Sequence, residues 1–487
     1  MAPFPLRSLA VSALLLSTGC FRLFAGGTSK EFQPPRRLEP AAIALPEGYR
    51  IEPVATGLTY PTDVTFDTEG TPYVIEAGYS YGEDFTEPRL LRIPRQGPPT
   101  VLARGSHAPW NGVVFHQGAF YVAAGGEKGG GRILRITPEG NLTALVSGLP
   151  SLGDHHTNGP AVGPDGALYF SVGTATNSGV VGPDNHDMGW LGRSPQFHDI
   201  PCQDVTLRGV NFTSPNPLTS EPEDQAVTGA FVPFGTRTEP GQRVRGQVPC
   251  SGAIFKLPPG STSPELVAWG FRNPYGLGFS PEGRLYATEN GHDARGSRPI
   301  FGPADYFWAV EPGTWYGFPD FIGGKPVTQE WFKPPDKAQP EFLLAEHPGQ
   351  PPQPVALLAV HSSSNHFTFS RGGDFGYAGQ AFIAQFGDLS PQVGRVMEPV
   401  GFKVVRVDVS TGLIRDFAAN KAKGSGGPAS RLETGGLERP ISARFDPSGN
   451  ALYVVDFGVM TVDERGPHPF KETGVLWRIT RAPQEAP

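Results

Sequence analysis

Short apolar runs of four to six residues alternate with polar turns along most of this chain, and no stretch sustains a helical period. Six segments share one pattern. Each opens on a turn residue or Pro, runs into an apolar strand, turns at Gly, and returns in a second strand reading like L-Y-V. The copies are YPTDVTFDTEGTPYVIEAG from Tyr60, APWNGVVFHQGAFYVAAGG from Ala108, NGPAVGPDGALYFSVGT from Asn158, RNPYGLGFSPEGRLYATENG from Arg272, HFTFSRGGDFGYAGQAFIAQFGD from His366 and RPISARFDPSGNALYVVDFG from Arg439. D-G, E-G and S-G between such strands mark hairpins. Most copies lead into a further strand, as in LLRIPRQG, RILRITPEG, AIFKLPPG, FKVVRVDVSTG and VLWRIT. Repeats of about 40–50 residues with about four strands each are propeller blades. The pattern predicts an all-β, six-bladed β-propeller over residues 46–481, with 482–487 as a tail.

The spacing of the copies is uneven. The first two steps are 48 and 50 residues, and the next are 114, 94 and 73. This predicts insertions in the third blade, near residues 180–245, and in the fourth, near 319–354. Long loops at one end of a propeller build lids and binding surfaces. Gly (64) and Pro (53) are abundant, but they fall at turns, so they belong to the strand pattern and do not signal low complexity.

A net charge of −7 gives no field for a polyanion, which argues against nucleic acid as a partner. The N-terminus, MAPFPLRSLAVSALLLSTGC, has a basic start, an apolar stretch too short for a span, and small residues before Cys20. Residues 1–20 are expected to be an export signal. Leu-Ser-Thr-Gly-Cys resembles a bacterial lipoprotein signal, which would lipidate Cys20, although Ser17 stands where that pattern prefers Leu. The alternative is ordinary cleavage near Ala25-Gly26. Either route predicts an exported protein, periplasmic or at the cell surface, touching a membrane only through that anchor. Residues 21–45, rich in Pro and charge, are expected to be a linker. Export permits a disulfide, and the remaining cysteines, Cys202 and Cys250, are expected to form one rather than a redox pair, since no C-x-x-C occurs.

The first strand of each blade lines the channel, so residues where it starts converge near the axis. Those residues are Thr62 and Asp63; Trp110 and Asn111; His155, His156 and Asn158; Arg272 and Asn273; His361, Asn365 and His366; and Arg439. Turn capping alone would place some of them there, yet six blades offering polar groups at one phase point to a shared pocket. Outside the first blade the groups are neutral or cationic, which suits an anionic or carbonyl-rich ligand. Histidine is the general base available near neutral pH. Four His could instead bind a transition metal. Neighbours on a strand face opposite ways, so only one of His155 and His156 is expected to point inward.

GFRNPYGLGFSPEGRLYATENG, followed by EPGTWYGFPDF, resembles the glucose/sorbosone dehydrogenase family, whose soluble members include quinoprotein sugar dehydrogenases. The resemblance spans roughly residues 45–481 and implies a six-bladed propeller that oxidises a sugar or related alcohol or aldehyde with pyrroloquinoline quinone (PQQ) and Ca²⁺. It implies His155 as base on the substrate hydroxyl, and Arg272 and Asn273 at the quinone. Arg439 would hold a cofactor carboxylate, with His361 or His366 across the cavity as further cofactor-binding candidates. Carbonyls of Gly291 and His292 would bind Ca²⁺. Four positions depart from the family pattern: Thr174 replaces an Asp behind the base, Gly387 a Lys, Ile441 a second Arg, and Asp305-Tyr306 an Asp-Glu pair. Arg371 or Arg395 could substitute. The implied substrate is a sugar or polyol. With no C-x-x-C-H haem site, electrons would pass to a separate acceptor. Two alternatives stay open: a binding or scaffold propeller that has lost the cofactor, and a Ca²⁺-dependent lactonase, for which Asp63, Asp154 and Glu289 are the candidate carboxylates.

Overall fold

The computed structural model describes residues 27–29, 31–126, 129–389, 395–422, 426–463 and 465–482. The signal in residues 1–20, Cys20 included, lies outside the described residues, as do 483–487 of the tail. The chain forms six antiparallel blades around one axis. Their innermost strands are Pro61–Phe66, Trp110–His116, Thr157–Val162, Pro274–Phe279, Ser364–Phe369 and Pro440–Phe445, and each packs on the next around a closed ring. The hairpins form where the turn signals predict. In the sixth blade, Pro440–Phe445 pairs with Ala451–Asp456 across D-P-S-G. There Gly449 sits at φ +73° and the Asp446 carboxylate accepts the Ala451 N–H at 3.1 Å.

The alternation of strand side chains explains why second strands read as continuous apolar runs. A blade is covered on both faces, so neighbouring residues go to opposite gaps. Val74 packs toward the sixth blade and Ile75 toward the second; Phe382 packs toward the sixth blade and Ile383 toward the fourth. The core is therefore a ring of apolar clusters, one in each gap between blades.

The ring is closed by the N-terminal strand Tyr49–Leu58, which forms the outer edge of the sixth blade against Gly474–Arg481. The segment read as a linker packs on the propeller. Ile43–Ala44 adds a fifth strand to the fifth blade, and Arg36 makes a buried ion pair with Asp456 at 2.5 Å. Its sequence offered only Pro and charge because single residues anchor it.

In the third blade the chain leaves after Leu168–Val172 and returns at Ala253–Leu257. This excursion carries two short helices, Pro183–Asp187 and Trp190–Arg193, and the Cys202–Cys250 disulfide, with Cα atoms 5.0 Å apart. In the fourth blade, Asp305–Ala309 and Ala356–Leu358 are joined by a long segment fastened by the buried pair Arg298–Asp320 at 3.1 Å.

A candidate active site at one mouth of the channel

A buried polar layer blocks the channel. Asp63 is fully buried and accepts hydrogen bonds from Arg444 Nε at 3.0 Å and Nη2 at 2.9 Å, Ser442 Oγ at 2.5 Å, and the backbone N–H groups of Val64 and Val113 at 2.9 and 3.1 Å. Burial pushes this carboxyl up, but Arg444 and the other donors outweigh it and hold it below its ordinary range. His366 belongs to this layer. Its Nε2–H donates to the Asn111 carbonyl at 2.7 Å, and its Nδ1 takes a hydrogen bond from Arg444 at 3.3 Å. His366 thus lies within the blocking layer and does not line the cavity above. It follows Asn365 into the strand, so its ring meets the neighbouring blades and not the mouth.

Above the layer, where the inner strands start and the second strands end, lies a cavity of about 450 Å³. A smaller chamber of about 80 Å³, which reaches Thr62, Asn111 and Tyr275, continues it toward the axis. His155, Arg272, Asn273, Gly291 and His361 line the main cavity. His156 lines it as well. The expectation that only one of the adjacent histidines faces inward assumed a strand, but the pair precedes Thr157–Val162, so strict alternation does not apply.

His155 is buried, and its Nδ1 lies 2.9 Å from the Thr174 carbonyl and 3.1 Å from the Thr174 hydroxyl. A carbonyl can only accept, so Nδ1 carries the proton and Nε2 keeps its lone pair. Burial first, then Arg272 and Arg295, hold its pKa well below the usual value, which keeps the ring neutral at pH 7. The main chain of Thr174 therefore supplies the orientation that the sequence seemed to lack without an Asp.

Arg272 is buried, with its Nε and Nη2 engaged and Nη1 only in a long contact to the Asn290 carbonyl at 3.4 Å. Nη2 donates to Asn177 Oδ1 at 2.9 Å and to Asp293 at 3.0 Å, and Nε to the Asn177 carbonyl at 3.2 Å. Asn273 bridges Asn158 at 3.2 Å and Asn290 at 2.9 Å. Asp293, which the sequence reading missed, is the hub of the wall. It pairs with Arg272 and with Arg295, each at 3.0 Å, and lies 3.5 Å from His361 Nε2. Burial works against its ionisation, but the two arginines prevail and hold it well below the carboxylate range. Arg295 also pairs with Asp154 at 2.7 Å and Asp184 at 2.5 Å. The cluster H-D-A-R at 292–295 was the visible signal, but it falls in a loop after a second strand, outside the phase searched. Tyr79, Tyr81 and Trp190 add an aromatic wall.

Arg439 and His366 stand elsewhere, and the side chain of His292, whose carbonyl was the expected ligand, turns away from the cavity. Arg439 lies behind Phe386 and Gly387, directing Nη1 to their carbonyls at 3.3 Å, while its Nε and Nη2 are buried without partners. Burial lowers it to about 10. The His292 ring stacks on Phe318 away from the cavity, with both ring nitrogens buried and unpartnered. His366 is in the blocking layer. Of the proposed substitutes, Arg371 lines a separate cavity of about 850 Å³ at the opposite mouth, and Arg395 stacks on Trp331 and Phe301. Gly387 has φ +95°, and a Cβ there would lie 2.5 Å from the Phe402 ring, so no lysine is accommodated. The carboxylates considered for a lactonase are committed: Asp63 to Arg444, Asp154 to Arg295 and Asn185, and Glu289 to Trp308 and the Arg272 N–H.

This fold is the one shared by soluble PQQ-dependent sugar dehydrogenases. The holo PQQ domain of pyranose dehydrogenase from Coprinopsis cinerea is similar over 94% of this chain and 100% of its own, at 17% identity and TM-score 0.51. A Trichoderma reesei enzyme of carbohydrate-active family AA12 covers 93% of this chain and 100% of its own, at 16% and 0.51. The apo soluble aldose sugar dehydrogenase of Escherichia coli covers 89% and 99%, at 15% and 0.50. At these identities the likeness establishes the propeller. No protein-family profile matches the sequence, and no curated relative matches it.

Proposed function

We propose that the protein is an exported quinoprotein-type oxidoreductase that oxidises a hydroxyl of a sugar or polyol in the 450 Å³ cavity. The observation that carries this reading is His155, neutral, with Nδ1–H held by the Thr174 carbonyl and Nε2 turned to a cavity that Arg272 and Asn273 also line.

PQQ is a planar quinone with carboxylates, and the residues present fit its reacting end. Arg272 and Asn273 would hold the quinone oxygens by charge-assisted and neutral hydrogen bonds. Carboxylate partners are fewer. Arg439, with two orphaned nitrogens one wall away, and Arg465 on the cavity rim are the cations that would serve. The Gly291 carbonyl is where Ca²⁺ would offset the remaining charge; the neighbouring carboxylates are already engaged, Asp293 by Arg272 and Arg295 and Asp305 by the Gly291 and Ser364 N–H groups. When bound, PQQ would supply the two-electron acceptor. The chain's own part is proton handling. His155 takes the hydroxyl proton at Nε2 as the carbon is oxidised, its Nδ1–H stays on Thr174, and Asp293 offsets the positive charge that appears. A separate acceptor would take up the electrons. Export through residues 1–20 and a lipid on Cys20 belong to the same proposal.

The pairing of Arg272 with Asp293, together with Gly387, favours a second reading, a binding propeller without redox chemistry. Titration with PQQ and Ca²⁺, followed by absorbance and by calorimetry, separates the two. Saturable, Ca²⁺-dependent binding supports the oxidoreductase. No binding at saturating concentration leaves the binding propeller.

A further inference from the structure

The cavity mouth and the start of the described chain lie on one face. Gly27 N–H donates to Asp388 at 2.8 Å, and Asp388 adjoins Gly387 in the cavity wall. Ser29 bridges to Thr461, in the hairpin Met460–Asp463/Gly466–Pro469 whose Pro467 also lines the cavity. The chain therefore reaches the propeller beside the cavity mouth and not at its outer edge or opposite end. Seven Cα steps separate Cys20 from Gly27, a reach of at most about 25 Å when fully extended.

The same face carries exposed apolar side chains. Tyr81 is 48% exposed, Trp331 56% and Met397 65%. Tyr81 and Met397 stand in loops that leave second strands. Trp331 is fastened to that tier through the Gly302 carbonyl at 3.2 Å and under the Arg395 guanidinium at 4.1 Å. Tyr and Trp are the side chains that settle at a membrane–water interface.

We infer that this face rests on a lipid bilayer, with the cavity mouth turned toward the membrane that holds the protein. The inference builds on the proposed lipid at Cys20. A short tether fixed beside the mouth leaves little freedom to present the opposite, 850 Å³ cavity instead.

The test uses the full chain purified from membranes and reconstituted on vesicles of phosphatidylethanolamine and phosphatidylglycerol. Hydroxyl-radical oxidation is read by mass spectrometry before and after the vesicles are dissolved. Leu357 and Leu413, exposed on outer strands, serve as internal standards. Tyr81, Trp331 and Met397 are expected to be protected several-fold on vesicles, with the standards unchanged. If the Cys20 peptide carries lipid but these three residues oxidise equally in both states, the orientation is overturned and the anchor stands. If that peptide carries no lipid, the anchor and the orientation fall together.

Discussion

The layer that blocks the channel predicts a large effect from one buried carboxylate. Asp63→Ala removes the acceptor of five hydrogen bonds and leaves the Arg444 guanidinium, whose side chain is 17% exposed, without its ion-pair partner. Breaking a buried pair from one side costs about 3–5 kcal/mol. An unfolding entropy of about 2.1 cal/mol/K per residue over roughly 430 folded residues converts this to a fall in Tm of about 3–6 °C. The assay is thermal unfolding followed by circular dichroism, with urea unfolding as a check on reversibility. The double variant Asp63→Ala/Arg444→Met should recover part of the loss, because it removes the stranded charge. A shift below about 1 °C for the single variant would refute the reasoning, since it would mean that water or a neighbour replaces Asp63 at little cost.

The remaining predictions concern the cavity wall and pH. Gly387→Lys, which introduces the lysine that the resemblance implies, should not improve cofactor binding; positive φ and contact with Phe402 should destabilise it by about 1–3 kcal/mol, read as a lower urea midpoint. Asp199, Glu289 and Glu438 are each pushed up to about 7, chiefly by burial. The native state keeps these protons where the unfolded chain releases them, so the stability they contribute is full below about pH 4 and is lost as pH rises through about 7. Between about pH 4 and 7 the urea midpoint of the wild type should fall relative to that of Glu289→Gln as pH rises; the comparison isolates this group from the buried neutral histidines, such as His155, which act in the opposite direction.

The blades were legible because a propeller repeats. Each hairpin carries its own Gly turn, and each second strand is apolar on both faces, as Val74-Ile75 and Phe382-Ile383 are. Closure by Tyr49–Leu58 was not legible, since that strand lies outside the repeats and its partner, Gly474–Arg481, is more than 400 residues away. The site was legible in part for the same reason. His155, Arg272, Asn273 and His361 precede inner strands, and ring closure brings them together. Phase alone could not tell which side chains turn toward the mouth. His366 and Arg439 share that phase, but they are drawn to the Asn111 and Gly387 carbonyls. Asp293 and Arg295 could not be found by phase, because they act from a loop whose position depends on partners in two other segments, Asp154 and Asp184.

The account rests most on His155. Dye-coupled oxidation of a panel of sugars and polyols should be measured with saturating PQQ and Ca²⁺ for the wild type and for His155→Ala. The account predicts turnover by the wild type, a kcat lower by about 10²–10⁴ in the variant, and unchanged PQQ binding. A variant as fast as the wild type, or a wild type that binds PQQ and oxidises nothing in the panel, would contradict it.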